Sequence, residues 1–197
     1  MEESISIITS EYIRKFYEVI TIIMGASCTG KTTLVNNLKE RHEEVDLYVP
    51  IKKIKVRKFK NFLLVQQSLT NNFWTFTYAD SISEIKEILQ KEYSNNNNIL
   101  FEVEKPTLNK NFLYWLIDEY KVKIIHLTTS IDILNERAKI RNLSWDKKRT
   151  DRKTINQTKR IVDLLNDNKI KKYVTTLPNV SETDFKNNLD TLDAFMT

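Results

Sequence analysis

Both glycines of this 197-residue chain stand within six positions of one another. They frame Gly25-Ala26-Ser27-Cys28-Thr29-Gly30-Lys31-Thr32, which matches the pattern G-x-x-x-x-G-K-[ST]. Such a loop wraps phosphate oxygens with inward-pointing backbone N–H groups. The backbone angles and close approach this needs leave no room for a side chain at either end. The helix that follows, opening on Lys31-Thr32-Thr33, aims its N-terminal amides and the positive end of its dipole at the same phosphates. Lys31 reaches the β- and γ-phosphates, and the Thr32 hydroxyl can ligate Mg²⁺. Residues 25–33 therefore predict binding of a nucleoside triphosphate, ATP, with Mg²⁺. Cys28 occupies a free position of the pattern and reads as a small residue against loop backbone, a redox switch being the alternative.

A bound triphosphate does not name the group that receives the phosphoryl. Arg137 and Arg141, in E-R-A-K-I-R, are four apart and share one helix face. Arg152 follows eleven residues later, in a charged stretch that also holds Arg149. Arginines converging on a triphosphate stabilise the charge of the transferring group. A mobile segment carrying them can close over the site and exclude water. The plain alternative is a solvated helix and loop.

Other residues bear on the acceptor. Glu102 and Glu104, in I-L-F-E-V-E, point to one face of a strand. They can bind an acceptor base, hold Mg²⁺ through water, or simply face solvent. The run K-K-I-K-V-R-K-F-K (52–60) has six basic residues in nine. Arg57 within it suits an acceptor phosphate. The run also suits a polymer of phosphates, with Phe59, Phe62, Phe73 and Trp74 near enough in sequence to stack on bases, or a lysine-rich solvated strand. Tyr78 and Asp80 precede a helical pattern. No adjacent Asp/His arrangement demands the role of general base. An acceptor phosphate needs none, whereas a hydroxyl would, and then Glu102, Glu104 and Asp80 are the candidates. Trp115 reads as core, and Trp145 falls in the stretch read as a lid.

These residues need a frame. V-I-T-I-I-M (19–24) is a β-branched run of the kind buried on both faces of a sheet. Residues 31–42 place Leu34, Val35 and Leu38 on one helical face. Residues 45–67 are strand-like with a basic middle, and 72–78 form a further β-type run. Helical spacing recurs at 81–93, 111–120, 131–142, 155–167 and 181–196, and strand-like runs at 99–104, 123–129 and 172–177. Residues 1–18 read as a short leading helix or extra strand. Alternation of strands and helices predicts an α/β fold with a parallel core sheet of about five strands and helices on both faces.

Composition agrees with one compact domain: 41% hydrophobic residues supply a core, and 29% charged residues supply a surface. The net charge of +5 fits either a lysine-rich surface or attraction to phosphates. One cysteine cannot form an internal disulfide, and His42 and His126 show no metal-ligand spacing. No run approaches the roughly 18 apolar residues of a membrane span, and the first residues lack an apolar signal core. A soluble, cytoplasmic protein is expected.

Together these features resemble the nucleoside monophosphate kinases, and among them the guanylate kinase-like group, over most of residues 19–180. In that family an R-x-x-x-R helix follows the third core strand, and another arginine comes eleven residues after the pair. Arg137, Arg141 and Arg152 reproduce those intervals. The resemblance implies that the first two lie near the triphosphate and that the third bridges donor and acceptor. Tyr78-Ala79-Asp80-Ser81 is similar to the family's Y-G-[ST] turn, whose tyrosine holds the acceptor phosphate, with Ala79 in place of the glycine. The family's S-R-x-x-R-x-x-E pattern for the guanine nucleotide is absent. The resemblance implies a core at 19–50 and 99–197, an acceptor-binding segment at 50–80 and a lid at 143–153. Phosphoryl transfer from MgATP to a (deoxy)nucleoside monophosphate is the expected reaction. A kinase of nucleic acid, acting on a strand end or a hydroxymethylated base, and a non-catalytic nucleotide-binding regulator are the alternatives.

Overall fold

The computed structural model describes residues 19–51, 54–67, 79–93, 98–102, 110–140 and 147–197. Side chains of 48–51, 54–55, 67, 79–82, 84, 147–151 and 153 are outside that description, as are the expected elements at 1–18 and 72–78.

The element order is β1 (Ile20–Met24), α1 (Lys31–Arg41), β2 (Glu44–Ile51), β3 (Ile54–Phe59), β4 (Phe62–Gln67), α2 (Ala79–Tyr93), β5 (Asn98–Glu102), α3 (Lys110–Glu119), β6 (Val122–Thr128), α4 (Ile131–Ile140), α5 (Lys147–Leu165), β7 (Val174–Pro178) and α6 (Glu182–Met196). One 3-10 turn, Lys171–Tyr173, leads into β7. The strands form one sheet in the order β2-β3-β4-β5-β1-β6-β7. The five from β4 to β7 in that order run parallel, and β3 is antiparallel to both β2 and β4.

The parallel strands are apolar on both faces because helices cover both. On one face Ile20, Ile22, Met24, Leu63, Val65, Phe101 and Ile124 pack with Leu89 of α2, Leu113 and Leu116 of α3, and Ile161 and Leu165 of α5. On the other, Ile23, Leu64, Leu100, Ile125 and Leu127 meet Leu34, Val35 and Leu38 of α1, and Leu189, Leu192 and Met196 of α6. Each such fully buried side chain contributes about 1.5–3 kcal/mol relative to exposure. The two layers hold the strand ends rigid, and the loops at those ends inherit that rigidity.

Two segments named from the sequence take a definite form. Within 50–80, expected as an acceptor-binding segment, β4 is one of the five parallel strands, with Phe62, Leu63, Leu64 and Val65 all buried. The charged stretch at 143–153 reads as a lid and the next helix as starting at 155, but α5 already begins at Lys147. Its first two turns carry almost no apolar residues, because the buried face is set further along by Thr154, Ile161 and Leu165.

β1 lies between β5 and β6, and the chain reaches those two neighbours from opposite sides. In open parallel sheets the crevice at such a switch point is where ligands bind. The loop 25–30 leaves the carboxyl end of β1 at that point.

Candidate active site

The loop explains why glycine is confined to it. A Cβ on Gly25 would stand 2.7 Å from Thr29 Oγ1 and 2.8 Å from the Leu127 carbonyl oxygen. Gly30 has φ +97° and is the N-cap of α1, and a Cβ there would lie 2.5 Å from Asn179 Nδ2. Cys28 also adopts positive φ, 67°, the only non-glycine residue to do so among the described residues. The loop thus winds through two left-handed positions. α1 starts at Gly30 without a side-chain cap, and a helix N-terminus behind a glycine turn is the arrangement that suits an anion.

Lys31 is buried, and its Nζ donates to the carbonyl oxygens of Gly25 (2.8 Å) and Ala26 (2.9 Å). The Thr29 hydroxyl donates to the same Ala26 oxygen at 3.0 Å. The ammonium therefore sits inside the turn of its own loop. Thr32 is half-buried and Thr33 exposed at the start of α1.

Three elements brace the loop from outside. Arg137 of α4 donates through Nη1 to the carbonyls of Cys28 and Thr29 (both 3.3 Å) and through Nη2 to that of Asn179 (3.1 Å). Asn179, directly after β7, donates through Nδ2 to the Thr29 carbonyl at 2.6 Å, and its own N–H donates to Thr128 O at 2.8 Å. A capping box fixes the chain two residues later. Ser181 Oγ accepts from the Asp184 N–H, and Asp184 accepts from the N–H groups of Val180 and Ser181. Those bonds hold the Asp184 carboxyl below its ordinary pKa. From the side of α5, Gln157 Oε1 accepts from the Ser27 N–H at 3.2 Å.

Beside the loop is a cavity of about 250 Å³ lined by Cys28, Gly30, Thr33, Arg137, Ile140, Asn179 and Phe185. On the neighbouring strand, Glu102 is buried at the end of β5, in register with Ile23 of β1, and accepts from Gln66 Nε2 at 2.5 Å. His126 of β6 is buried in register with Met24. Burial lowers its pKa, and the nearby positive charge of Lys31 lowers it further.

The sequence-predicted residues divide accordingly. Gly25, Ala26, Ser27, Cys28, Thr29, Gly30 and Lys31 form one braced loop, with Arg137 against it and Glu102 at the adjoining strand end. Arg57 is not brought there. It pairs with Leu64, which is level with Leu100 and hence with Thr21, three residues before the end of β1. That places it roughly 10 Å short of the strand ends. Its Nη1 donates to both carboxylate oxygens of Glu44, at 2.8 and 2.7 Å. Arg57 therefore closes an ion pair with Glu44 within the β2–β3 ladder, away from the loop at the end of β1. Arg152 is exposed on α5. Asp80 falls in the first turn of α2 with its side chain outside the described residues, and Tyr78, Glu104 and Arg141 lie outside them altogether. Among the described residues no cluster of three or more His, Cys, Asp and Glu gathers for a metal, and no helix is long and apolar enough to cross a membrane.

Asn179, Gln157 and Phe185 went unnoticed in the sequence. Only Asn179 had a signal: it follows a strand-ending Pro178 and precedes the S-x-x-D of a helix cap.

No protein-family model matches the sequence, and no curated protein does. Solved structures do match in fold. The tunicamycin resistance protein of Deinococcus radiodurans aligns at 14% identity and TM-score 0.52, over 90% of this chain and 94% of that one. Shikimate kinase of Bacteroides thetaiotaomicron aligns at 12% identity and TM-score 0.50, over 90% and 96%. A gluconokinase of Sinorhizobium meliloti aligns at 10% identity and TM-score 0.48, over 90% and 95%. The first two likenesses and the strand order agree on one conclusion, that this chain shares with those proteins an α/β fold built on a mostly parallel sheet with helices on both faces.

Proposed function

We propose that this protein is an ATP-dependent phosphotransferase. The observation that carries the reading is the braced loop: two sterically required glycines, a lysine folded into the turn, and a helix N-terminus with no side-chain cap. In this reading the loop amides and Lys31 hold the β- and γ-phosphates. The ammonium is already at the loop, so little reorganisation is needed when charge develops on the transferring group. Arg137 is engaged by three carbonyls, so its part is to keep the loop's shape and to wall the cavity beside it. That cavity takes the nucleoside of ATP. Arg152 and Arg141 retain the charge-neutralising role, carried by α5 and by the chain leading into it.

Mg²⁺ fits the donors present, which are hard oxygens: the Thr32 hydroxyl directly and the buried Glu102 carboxylate through water. When bound it would neutralise phosphate charge. Mg²⁺ generally takes one or two carboxylates beside phosphates and waters, so no larger acidic cluster is required.

For the acceptor we propose a (deoxy)nucleoside monophosphate. The arginine spacing supports it, as does the lack of an Asp/His pair poised as a base. A second reading, a small molecule or nucleic acid phosphorylated on a hydroxyl, is favoured by the buried Glu102 at the strand end and by the ion pair that engages Arg57. Shikimate kinase, a fold neighbour, is named for an acceptor that is not a nucleotide.

The test is a panel of acceptors with radiolabelled ATP and Mg²⁺: ribo- and deoxyribonucleoside monophosphates, shikimate, gluconate, RNA, and single- and double-stranded DNA with plain and hydroxymethylated bases. Label on a monophosphate establishes the main reading. Label only on a hydroxyl acceptor establishes the second. ATP binding without transfer to anything refutes the phosphotransferase and leaves a nucleotide-binding regulator.

A further inference from the structure

Gln157 reaches the loop from far along the chain and does something the pattern of the loop does not call for. Its Oε1 accepts from the Ser27 N–H at 3.2 Å, across a separation of 130 residues. Ser27 lies between Gly25 and Gly30, in the arc whose amides serve phosphate oxygens in a loop of this type. An amide carbonyl oxygen and a phosphate oxygen are both acceptors, and one N–H directed at one of them is not available to the other.

The placement of Gln157 is not accidental to α5. Thr154, Ile161 and Leu165 are buried, and Gln157 falls on the same face of the helix, one turn from Thr154 and one from Ile161. Ile161 and Leu165 anchor the helix in the core, which leaves the polar turn at 154–157 over the loop. The same helix carries Arg152 five residues before Gln157.

We propose that Gln157 is a built-in phosphate surrogate. Its Oε1 holds a loop amide that an incoming phosphate must take from it, so binding of the triphosphate competes with this one side-chain bond from the helix that also bears Arg152. The proposal rests on the reading of this loop as a triphosphate site.

The experiment measures binding of MgATP and of inorganic tripolyphosphate, which has no base to enter the cavity, to the full chain by calorimetry. The proteins are wild type, Gln157→Ala and Gln157→Glu. Removing the competing acceptor should tighten binding of both probes, by roughly 2- to 10-fold, the equivalent of one ordinary hydrogen bond. The glutamate accepts more strongly and repels phosphate, and should weaken both by roughly 10-fold. Opposite signs for the two variants support a competitor. Weaker or unchanged binding in Gln157→Ala overturns the proposal, because a residue that only supports the loop would be missed when removed. Thermal unfolding without ligand checks that the variants fold. If Gln157→Ala does not, Gln157→Leu, which keeps the bulk and removes the acceptor, must still tighten binding. Wild-type protein that binds MgATP with the wrong response in the variants sinks the surrogate alone. Wild-type protein that binds neither probe sinks the triphosphate reading as well.

Discussion

Asn179 and Gly30 are fitted to each other: a Cβ on Gly30 would lie 2.5 Å from the Asn179 amide nitrogen, which itself donates to the carbonyl of Thr29. The absence of a side chain at one residue is what lets the other hold the loop. Gly30→Ala meets both this contact and a φ of +97°, and should cost about 1–2 kcal/mol from the backbone alone. Asn179→Ala should cost about 1 kcal/mol for a lost hydrogen bond. In the double variant the clash disappears, so the two losses should add to less than their sum by at least about 0.5 kcal/mol in urea unfolding. Strict additivity would mean that the two side-chain positions do not meet.

Lys31→Ala separates fold from chemistry. The ammonium donates to the carbonyl oxygens of Gly25 and Ala26 at 2.8 and 2.9 Å, and the hydrophobic layers do not depend on it. Its removal should lower kcat by on the order of 10²–10³ or more, with a native circular dichroism spectrum and a cooperative melt. Surviving activity would refute the assignment of the loop.

Cys28 supplies a probe because it is the sole cysteine and lines the cavity. Alkylation by iodoacetamide, followed by mass spectrometry, should slow several-fold when ATP is present and should not slow with a non-nucleotide anion such as sulfate. Equal rates with and without ATP would place the nucleoside elsewhere.

His126 should make stability depend on pH. Its folded pKa lies below the ordinary 6.5, chiefly through burial and also through the charge of Lys31. Above about pH 6.5 the imidazole is neutral in both folded and unfolded chains, and its contribution is fully present. As pH falls below that value the unfolded chain takes up a proton that the folded chain resists, so stability is lost down through the folded pKa. Urea midpoints for wild type should fall between pH 7.5 and 5.5 more steeply than those of His126→Gln. Parallel slopes would refute the assignment. Asp167 acts in a separate window. Its pKa is lowered to about 2, first by its bond to Lys110, so its contribution vanishes only as pH falls from about 3.8 toward 2.

The sequence made some of this legible and concealed the rest for physical reasons. The unit β1–loop–α1 was readable because glycine is scarce and the loop needs it at two fixed places, Gly25 and Gly30. The parallel strands were readable from β-branched runs buried on both faces. β4 was harder to separate. The basic alternation of β3 runs on to Phe62 with only Lys60 and Asn61 to mark the turn. The start of α5 was hidden because residues 147–153 offer no apolar period, and the helix is held by a face further along. The charge of Arg57 is visible in the sequence, whereas its ion-pair partner Glu44 is fixed only by the register of β2 on β3. Asn179 and Gln157 act across separations of 150 and 130 residues, which no local pattern encodes.

That separation also orders events during synthesis. The loop sequence at 25–32 emerges early, and β1 has both of its parallel neighbours, β5 and β6, once residue 128 is out. The brace from Asn179 and the Ser181–Asp184 cap that seats it come about fifty residues later. A nascent chain ending near residue 170 would carry the complete phosphate-binding motif and the braces from Arg137 and Gln157, but would lack the one from Asn179, because long-range contacts cannot form before their partners exist. Nucleotide should therefore reward an unfinished chain less than a finished one. Retention of stalled chains on immobilised ATP should rise between lengths that expose residue 170 and lengths that expose α6, which makes nucleotide capture a report of completed folding.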